Sequence, residues 1–322
     1  MKTLSSWTAT ILFTIIVTAA HAQTFPARPI RLIVPNGACG STDFVARTIA
    51  NQLADALGQQ VIVDNRAGSG GIIGTEIVAR AAPDGYTLLI GTVGNLAISP
   101  HLYRRLPYDP LRDFAAVTQI SAAAYVMLIN PALPVKSLPE FIATAKANPG
   151  RIAYASAGSG TGSHLTTALF ASVSGLNLTH IPYKGGAPAL TDLIGNQVQL
   201  MFNGISSSLP ALTNGRLRAL AVTSRTRVAA IAEVSTVAEA GLKGVEATSW
   251  TGLLAPAGTP QQVITRLNKE LRAILKSTAI RNRLTADGAE PADDSAAAFA
   301  AHLQSEFEKW GKVVRITGAR AD

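Results

Sequence analysis

The sequence predicts an α/β fold made of two similar halves. Short β-branched runs alternate with segments of helical periodicity, a pattern that indicates parallel strands joined by crossover helices. "IRLIVP" (30–35) precedes apolar residues at every fourth position from 45 to 57, and Gly58 ends that helix. "IAYAS" (152–156) repeats this arrangement in the second half, because a Gly/Ser loop and then a helix follow it.

The remaining elements of each half continue this alternation. In the first half, "VIVDN" (61–65) and "TLLIGT" (87–92) are predicted strands, and a helix is predicted over residues 73–82 between them. In the second half, Ser137 and Glu140 form the capping box that begins a helix. Further strands of that half are predicted for "LTHIPY", "VQLMF" and "LRALAVTS".

The final third of the chain is predicted to be mostly helical. Thr259 and Pro260 are suitable as the cap and first residue of a helix. Apolar residues then recur with helical spacing on two successive helices: Val263, Ile264, Leu267, Leu271 and Ile274, and later Phe299, Leu303, Phe307 and Val314.

The first 22 residues have the pattern of a secretory signal peptide. Lys2 supplies the positive charge, "ATILFTIIVTAA" the short apolar stretch, and Ala20-His21-Ala22 a small-residue cleavage site before Gln23. We therefore expect residues 1–22 to be removed and the mature protein to be exported to an oxidising compartment. Cys39 has no partner in the chain, so no internal disulfide is expected.

Composition limits the classes of partner. The chain has 322 residues, enough for about two domains, and a formal net charge of +8. Its Lys and Arg residues are scattered and only 6% of the residues are aromatic, so a nucleic-acid-binding protein is not expected. The positive charge favours anionic solutes.

Three Gly/Ser-rich loops stand between a strand and a helix, at residues 36–43, 66–74 and 157–164. In open α/β sheets, ligands bind beyond the carboxyl ends of the strands. The helix N-termini there present free backbone N–H groups and the positive end of the helix dipole. These loops therefore predict sites for small anions.

Known catalytic and cofactor motifs are missing. The loop 68–74 fails the dinucleotide pattern because position 73 is Ile, and no phosphate-binding P-loop occurs. The serine-hydrolase elbow is absent, since Ala67 stands where the first Gly would be needed. The histidines have no metal-ligand spacing, so neither a metal nor a cofactor is expected.

One enzymatic alternative stays open. Cys39 and His164 each lie near a predicted helix N-terminus, one in each half, so a thiolate held by an imidazole could act as a nucleophile. In the competing interpretation, Cys39 is a small residue at a loop–helix junction and His164 packs locally. We favour the second interpretation and expect the protein not to be an enzyme.

Several ordered blocks resemble the Bug-type solute-binding proteins, the periplasmic receptors of tripartite tricarboxylate transporters. They span essentially the whole mature chain: "FPARPIRLIVP", "VIVDNRAGSGGIIGTEIVARAAPDGYTLLIGT", "LPYDPLRDFAAV", "YASAGSGTGSHL", "HIPYKGGAPALTDLIGNQV", "LRALAVTS" and "EATSWTGLLAPAGTP". The resemblance implies a two-lobe periplasmic-binding-protein (Venus-flytrap) fold, each lobe a mostly parallel sheet flanked by helices.

The resemblance also implies the division of the chain and its role. Residues 23–123 and 249–322 would form lobe 1 and residues 124–248 lobe 2, with hinges near 121–126 and 246–250. The protein, expected to be a monomer, would capture a small carboxylate. It would deliver this ligand to inner-membrane transporter subunits or present it to a sensor kinase.

In this family, the ligand carboxylate is gripped between the first strand–helix loop of lobe 1 and the Gly/Ser/Thr loop of lobe 2. Carried onto this sequence, the expected ligand-binding residues are Asn36, Gly40, Ser41, Thr42, Thr92, Ser159, Thr161, Gly162, Ser163 and Asn203. Relatives commonly have an aromatic residue at position 36, Gly at 39 and Asp at 203. The binding mode is therefore expected to transfer, but the ligand specificity is not.

Overall fold

The computed structural model describes residues 25–38, 40–286 and 288–320. The predicted signal peptide and Cys39 lie outside these residues. The first part of the chain forms β1 (Ile30–Val34), α1 (Ser41–Leu57), β2 (Val61–Asn65), α2 (Ile72–Ala79), β3 (Thr87–Thr92), α3 (Ser99–Leu102) and β4 (Phe114–Ile129). Within the described residues, no helix has both the length and the hydropathy needed to cross a membrane.

The rest of the described chain continues with alternating helices and strands. The middle part forms α4 (Leu138–Ala147), β5 (Ala153–Ser156), α5 (Gly162–Ser174), β6 (Thr179–Pro182), α6 (Gly186–Ile194), β7 (Leu200–Gly204), α7 (Ile205–Thr213) and β8 (Arg218–Val222). The C-terminal part forms β9 (Thr248–Pro256), α8 (Gln261–Lys276), α9 (Thr278–Ala286), β10 (Ala289–Pro291) and α10 (Ala296–Thr317).

The strands form one sheet in the order β2-β1-β3-β9-β4-β7-β5-β6, with β8 and β10 also paired to β4. The expected parallel strands are present in each half, since β1 pairs in parallel with β2 and β3, and β5 with β6 and β7. The long strands β4 and β9 are antiparallel to their neighbours, so each half is a mixed sheet.

Strand β4 belongs to both halves. Its residues up to Ala124 pair with β9, and from Tyr125 onwards they pair with β7. One buried apolar cluster likewise draws on both halves, since Leu89, Trp250 and Phe202 all belong to it. Separate clusters lie under α1 and α8 and under α6 and α7.

The sequence signals for the starts of α4 and α8 can be compared with the structure. The Ser137 hydroxyl accepts from the Glu140 amide at 3.4 Å, as the capping box predicts, but the Glu140 carboxylate accepts from the Lys136 amide. The predicted start of α8 is wrong by one residue. Pro260 occupies the cap position, while the Thr259 hydroxyl donates to the Pro256 carbonyl.

Candidate functional site

The carboxyl ends of the parallel strands of both halves converge. Thr92, the last residue of β3, pairs with Thr251, which pairs with Ser121 of β4. Gly204, the last residue of β7, pairs with Tyr125 of β4. The ends of β3 and β7 therefore lie on either side of the stretch of β4 from Ser121 to Tyr125, with the ends of the other parallel strands farther along the same sheet.

The loop after β1 leads directly into α1. Gly40 is the cap residue and supplies no side-chain acceptor, so the amides of Ser41 and Thr42 lie in a first turn without intrahelical partners. Ser41 is exposed and Thr42 half-buried. These residues fit the predicted role of anion donors, because nothing in their own helix uses their N–H groups.

Asn65, at the end of β2, holds this loop in place and was missed by the sequence analysis. Its amide nitrogen donates to the Asp43 carboxylate at 2.9 Å and to the Asn36 carbonyl at 3.2 Å. Asp43 also forms an ion pair with Arg47 at 2.9 Å. The side-chain oxygen of Asn36 is buried and, among the described residues, has no donor, so a ligand N–H or O–H could satisfy it.

The loop after β5 is held by its own hydroxyls. Thr161 caps α5: its Oγ accepts from the His164 amide at 3.5 Å and donates to the Gly158 carbonyl at 2.7 Å. The Ser163 Oγ lies 3.0 Å from that of Thr161 and accepts from the Ala157 amide. The two predicted hydroxyls thus already have partners within the loop, which leaves the first-turn amides as the groups suited to an anion.

Contacts between loops link the two halves. The Thr92 amide and hydroxyl both donate to the side-chain oxygen of Asn95, each at 2.7 Å, and this fixes the turn after β3. A Cβ on Gly94 in that turn would lie 3.7 Å from the Gly160 carbonyl. Likewise, a Cβ on Gly70 would lie 3.8 Å from the carbonyl of Ser159. The loops after β2, β3 and β5 are therefore in contact.

Tyr125 lies where β4 crosses between the halves, directly against Gly162. A Cβ on Gly162 would overlap the Tyr125 phenol oxygen, so only glycine permits this close approach. Burial raises the pKa of Tyr125 to about 12, and the phenol is therefore neutral at physiological pH. Tyr125 was not among the predicted site residues, since nothing in the local sequence places it beside α5.

The imidazoles of His164 and His180 stack beneath the loop after β5. Their centroids are 4.0 Å apart and the rings are nearly parallel. The Nδ1 of His164 accepts from the Gly160 amide at 3.2 Å, and the Nε2 of His180 lies 2.7 Å from the Ser156 hydroxyl. Burial, with a smaller effect of His180, lowers the pKa of His164 to about 3, so its ring is neutral and serves as a hydrogen-bond acceptor in the loop.

Asn203, at the end of β7, lies beside another helix N-terminus. Its amide nitrogen donates to the hydroxyls of Ser207 and Ser208, at 3.0 and 3.2 Å. Its oxygen would lie 3.5 Å from a Cβ on Gly186, the first residue of α6. The preceding cap, Gly185, provides no side-chain acceptor. The sequence analysis missed this helix N-terminus, although the glycine pair in "YKGGAP" is a signal for it.

Comparison with known sequences then decides the family. Residues 45–319 match the family described as the tripartite tricarboxylate transporter family receptor. The chain belongs to this receptor family. BugT of Bordetella pertussis (strain Tohama I) is 39% identical over 306 residues, which are 95% of this chain and 94% of BugT. The resemblance seen in the sequence is confirmed.

Solved structures of similar receptors confirm the fold class. Rpa4515 of R. palustris, solved with adipate, has a TM-score of 0.87 and 37% identity, covering 92% of this chain and 99% of that chain. MatC of Rhodopseudomonas palustris, with bound malate, has a TM-score of 0.83 and 33% identity, covering 90% and 100%. Neither the receptor family nor these structures support the alternative of a thiol enzyme that uses Cys39 and His164.

Proposed function

We propose that this protein is a periplasmic receptor that captures a small carboxylate between its two halves. The observation that carries the proposal is that a helix with unused first-turn amides follows a parallel strand in each half, after β1 and after β5. The amides of Ser41 and Thr42 begin α1, and those of Gly162 and Ser163 begin α5. Hydrogen bonds from such amides to a carboxylate are charge-assisted, so a few of them suffice for useful affinity.

The proposed ligand class is supported by the relatives. The ligands in the solved structures of Rpa4515 and MatC, adipate and malate, are both dicarboxylates. In this chain, the uncapped α6 and the oxygen of Asn203 offer donors and an acceptor for the second polar end of such a ligand. We therefore place dicarboxylates and hydroxy acids first among the candidate ligands.

The proposed division into lobes follows the pairing of β4. Residues 23–123 and 249–322 form lobe 1 and residues 124–248 form lobe 2, since β4 changes partner at Ala124 and Tyr125. The receptor closes by bending near residues 121–126 and 246–250. Inner-membrane transporter subunits or a sensor kinase receive the loaded protein, which acts as a monomer and performs no catalysis.

A thermal-shift screen tests the ligand class. Adipate, malate and related acids are compared with neutral sugars at matched ionic strength. A ligand at 100 times its Kd adds about 2.7 kcal/mol to the free energy of unfolding, a readily measured rise in Tm. The proposal fails if a neutral sugar, and none of the acids, stabilises the protein. Mass spectrometry of the natively purified protein identifies any acid carried with it.

A further inference from the structure

A groove rich in arginine lies outside the proposed ligand loops. A groove of about 390 Å³ runs between the end of α3 and the last turn of α10. Three arginines, Arg104, Arg315 and Arg320, line it together with the apolar side chains of Leu102, Val314 and Ala319. The arginines are exposed, whereas Leu102 and Val314 are buried.

The arginines of this groove have no carboxylate partner within residues 25–38, 40–286 and 288–320. Within these ranges, the same holds for the neighbouring exposed Arg105 and Lys312. The negative end of the α10 dipole accounts for a cation in its last turn, such as Arg315. It does not account for Arg104 or Arg320, which lie outside the helix.

The two walls of the groove are fixed to each other. The His101 side chain from α3 packs against Phe307 of α10, with centroids 4.3 Å apart, and its Nε2 donates to the Phe307 carbonyl at 2.8 Å. The same ring covers Gly311, where a Cβ would lie 2.8 Å from the His101 Cε1. The groove is thus preformed, which lowers the entropy cost of docking a partner.

The groove also adjoins the proposed ligand site. Leu102 and Tyr103, which line it, belong to the segment that meets the loop after β5. A Cβ on Gly160 would lie 3.2 Å from the Leu102 Cδ1 and 3.8 Å from the Tyr103 Cε2. A partner seated in the groove would therefore stand beside the contact between the two halves.

We propose that this groove docks an acidic segment, carrying an apolar side chain, of the membrane protein that receives the ligand. This inference rests on the proposed receptor function. Guanidinium groups pair with carboxylates in a bidentate manner, and the apolar floor accommodates an aliphatic side chain. The concave shape, flanked by two walls, favours a peptide segment over the flat surface of a membrane.

A binding assay with a defined probe tests the proposal. The probe is a fluorescent synthetic peptide in which glutamates flank one leucine, and a peptide with glutamines in their place is the control. The double variant Arg315→Glu/Arg320→Glu is compared with Arg151→Glu/Arg216→Glu, which changes the net charge equally at two exposed arginines. Among the residues that the structure describes, neither Arg151 nor Arg216 pairs with a carboxylate. We expect the groove variant to bind the acidic peptide about tenfold more weakly than the native protein, and the control variant to bind like it.

Three outcomes overturn the proposal. The first is equal weakening, or none, in both double variants, since the positive net charge alone would then explain binding. The second is groove-dependent binding to phosphatidylglycerol vesicles without binding to the peptide, which would make a lipid the occupant. The third is peptide binding only by a variant ending at Arg320, because the protein's own last residues would then fill the groove. The carboxylate thermal shift, measured in the same variants, shows separately whether the receptor function holds.

Discussion

At the scale of single residues, the stacked histidines show how burial selects a chemical state. His164 is 6% exposed, and its ring must remain neutral to accept from the Gly160 amide. Burial lowers the pKa of His180 to about 4 as well. Both imidazoles lie beneath the loop whose amides are proposed to bind the ligand, so they act as positioning groups for that loop.

This arrangement predicts that the protein loses stability as the pH falls from 7 to 5. The imidazoles titrate near 6.5 in the unfolded chain but near 3 and 4 in the folded one, so the unfolded state binds more protons in this window. The free energy of unfolding then falls by up to about 1.4 kcal/mol per pH unit for His164 alone. Urea unfolding at several pH values measures the slope.

The variant His164→Phe provides the control for this prediction. The phenylalanine ring can still stack on His180 but cannot titrate, so the stability of the variant should depend less steeply on pH. It should also be less stable at pH 7, by about 1–3 kcal/mol, because the Gly160 amide loses its acceptor. Parallel pH profiles for the native protein and this variant would contradict the assignment.

At the scale of elements, two helices of the second half have side-chain caps with different consequences. Ser137 caps α4 and Thr161 caps α5. Only the Thr161 hydroxyl also contacts the loop, through the Gly158 carbonyl and the Ser163 hydroxyl. Ser137 therefore serves as the control for Thr161, because it caps a helix without contacting the loop after β5.

Thr161→Ala and Ser137→Ala should destabilise the protein by similar amounts, about 0.5–2 kcal/mol each. Carboxylate affinity, measured by calorimetry, should fall in Thr161→Ala and stay native in Ser137→Ala, because only Thr161 holds the loop after β5. Thr161→Ser, which keeps the hydroxyl, should restore binding. Equal affinities in the two alanine variants would show that the cap does not shape the site.

At the scale of the whole molecule, one buried hydroxyl joins the segments that connect the halves. Thr223 Oγ accepts from the Tyr125 amide at 3.0 Å and donates to the Ala247 carbonyl at 2.6 Å. Tyr125 belongs to β4, and Ala247 directly precedes β9. Both proposed hinge segments are thus tied to the end of β8 at a single residue that is 1% exposed.

Thr223→Val should destabilise the protein by about 1–3 kcal/mol, because a similar shape replaces the hydroxyl and leaves a buried amide and a buried carbonyl unpaired. Thr223→Ser keeps both hydrogen bonds and serves as the matched control, with a smaller loss from the missing methyl group. Chemical unfolding measures both variants. If serine and valine cost the same, the hydroxyl does not tie the hinge segments.

The sequence was most informative where the determinants are local. "VIVDN" and "TLLIGT" coincide with β2 and β3, and the predicted cap at Ser137 is confirmed. The long strands β4 and β9 were not predicted. The Ala-rich middle of β4 has low β propensity, and its buried run lacks the alternation that marks a half-exposed strand.

Some features of the candidate site follow from the local sequence, and others only from the tertiary structure. The sequence by itself predicted the Gly/Ser-rich loops that lead into α1 and α5, because glycines and cap residues act through the backbone of their own turn. The tertiary structure alone decided that Gly162 meets Tyr125, that His164 stays neutral and that the loops of the two halves meet at β4. These features depend on strand pairing and burial between residues far apart in the chain, which no local pattern encodes.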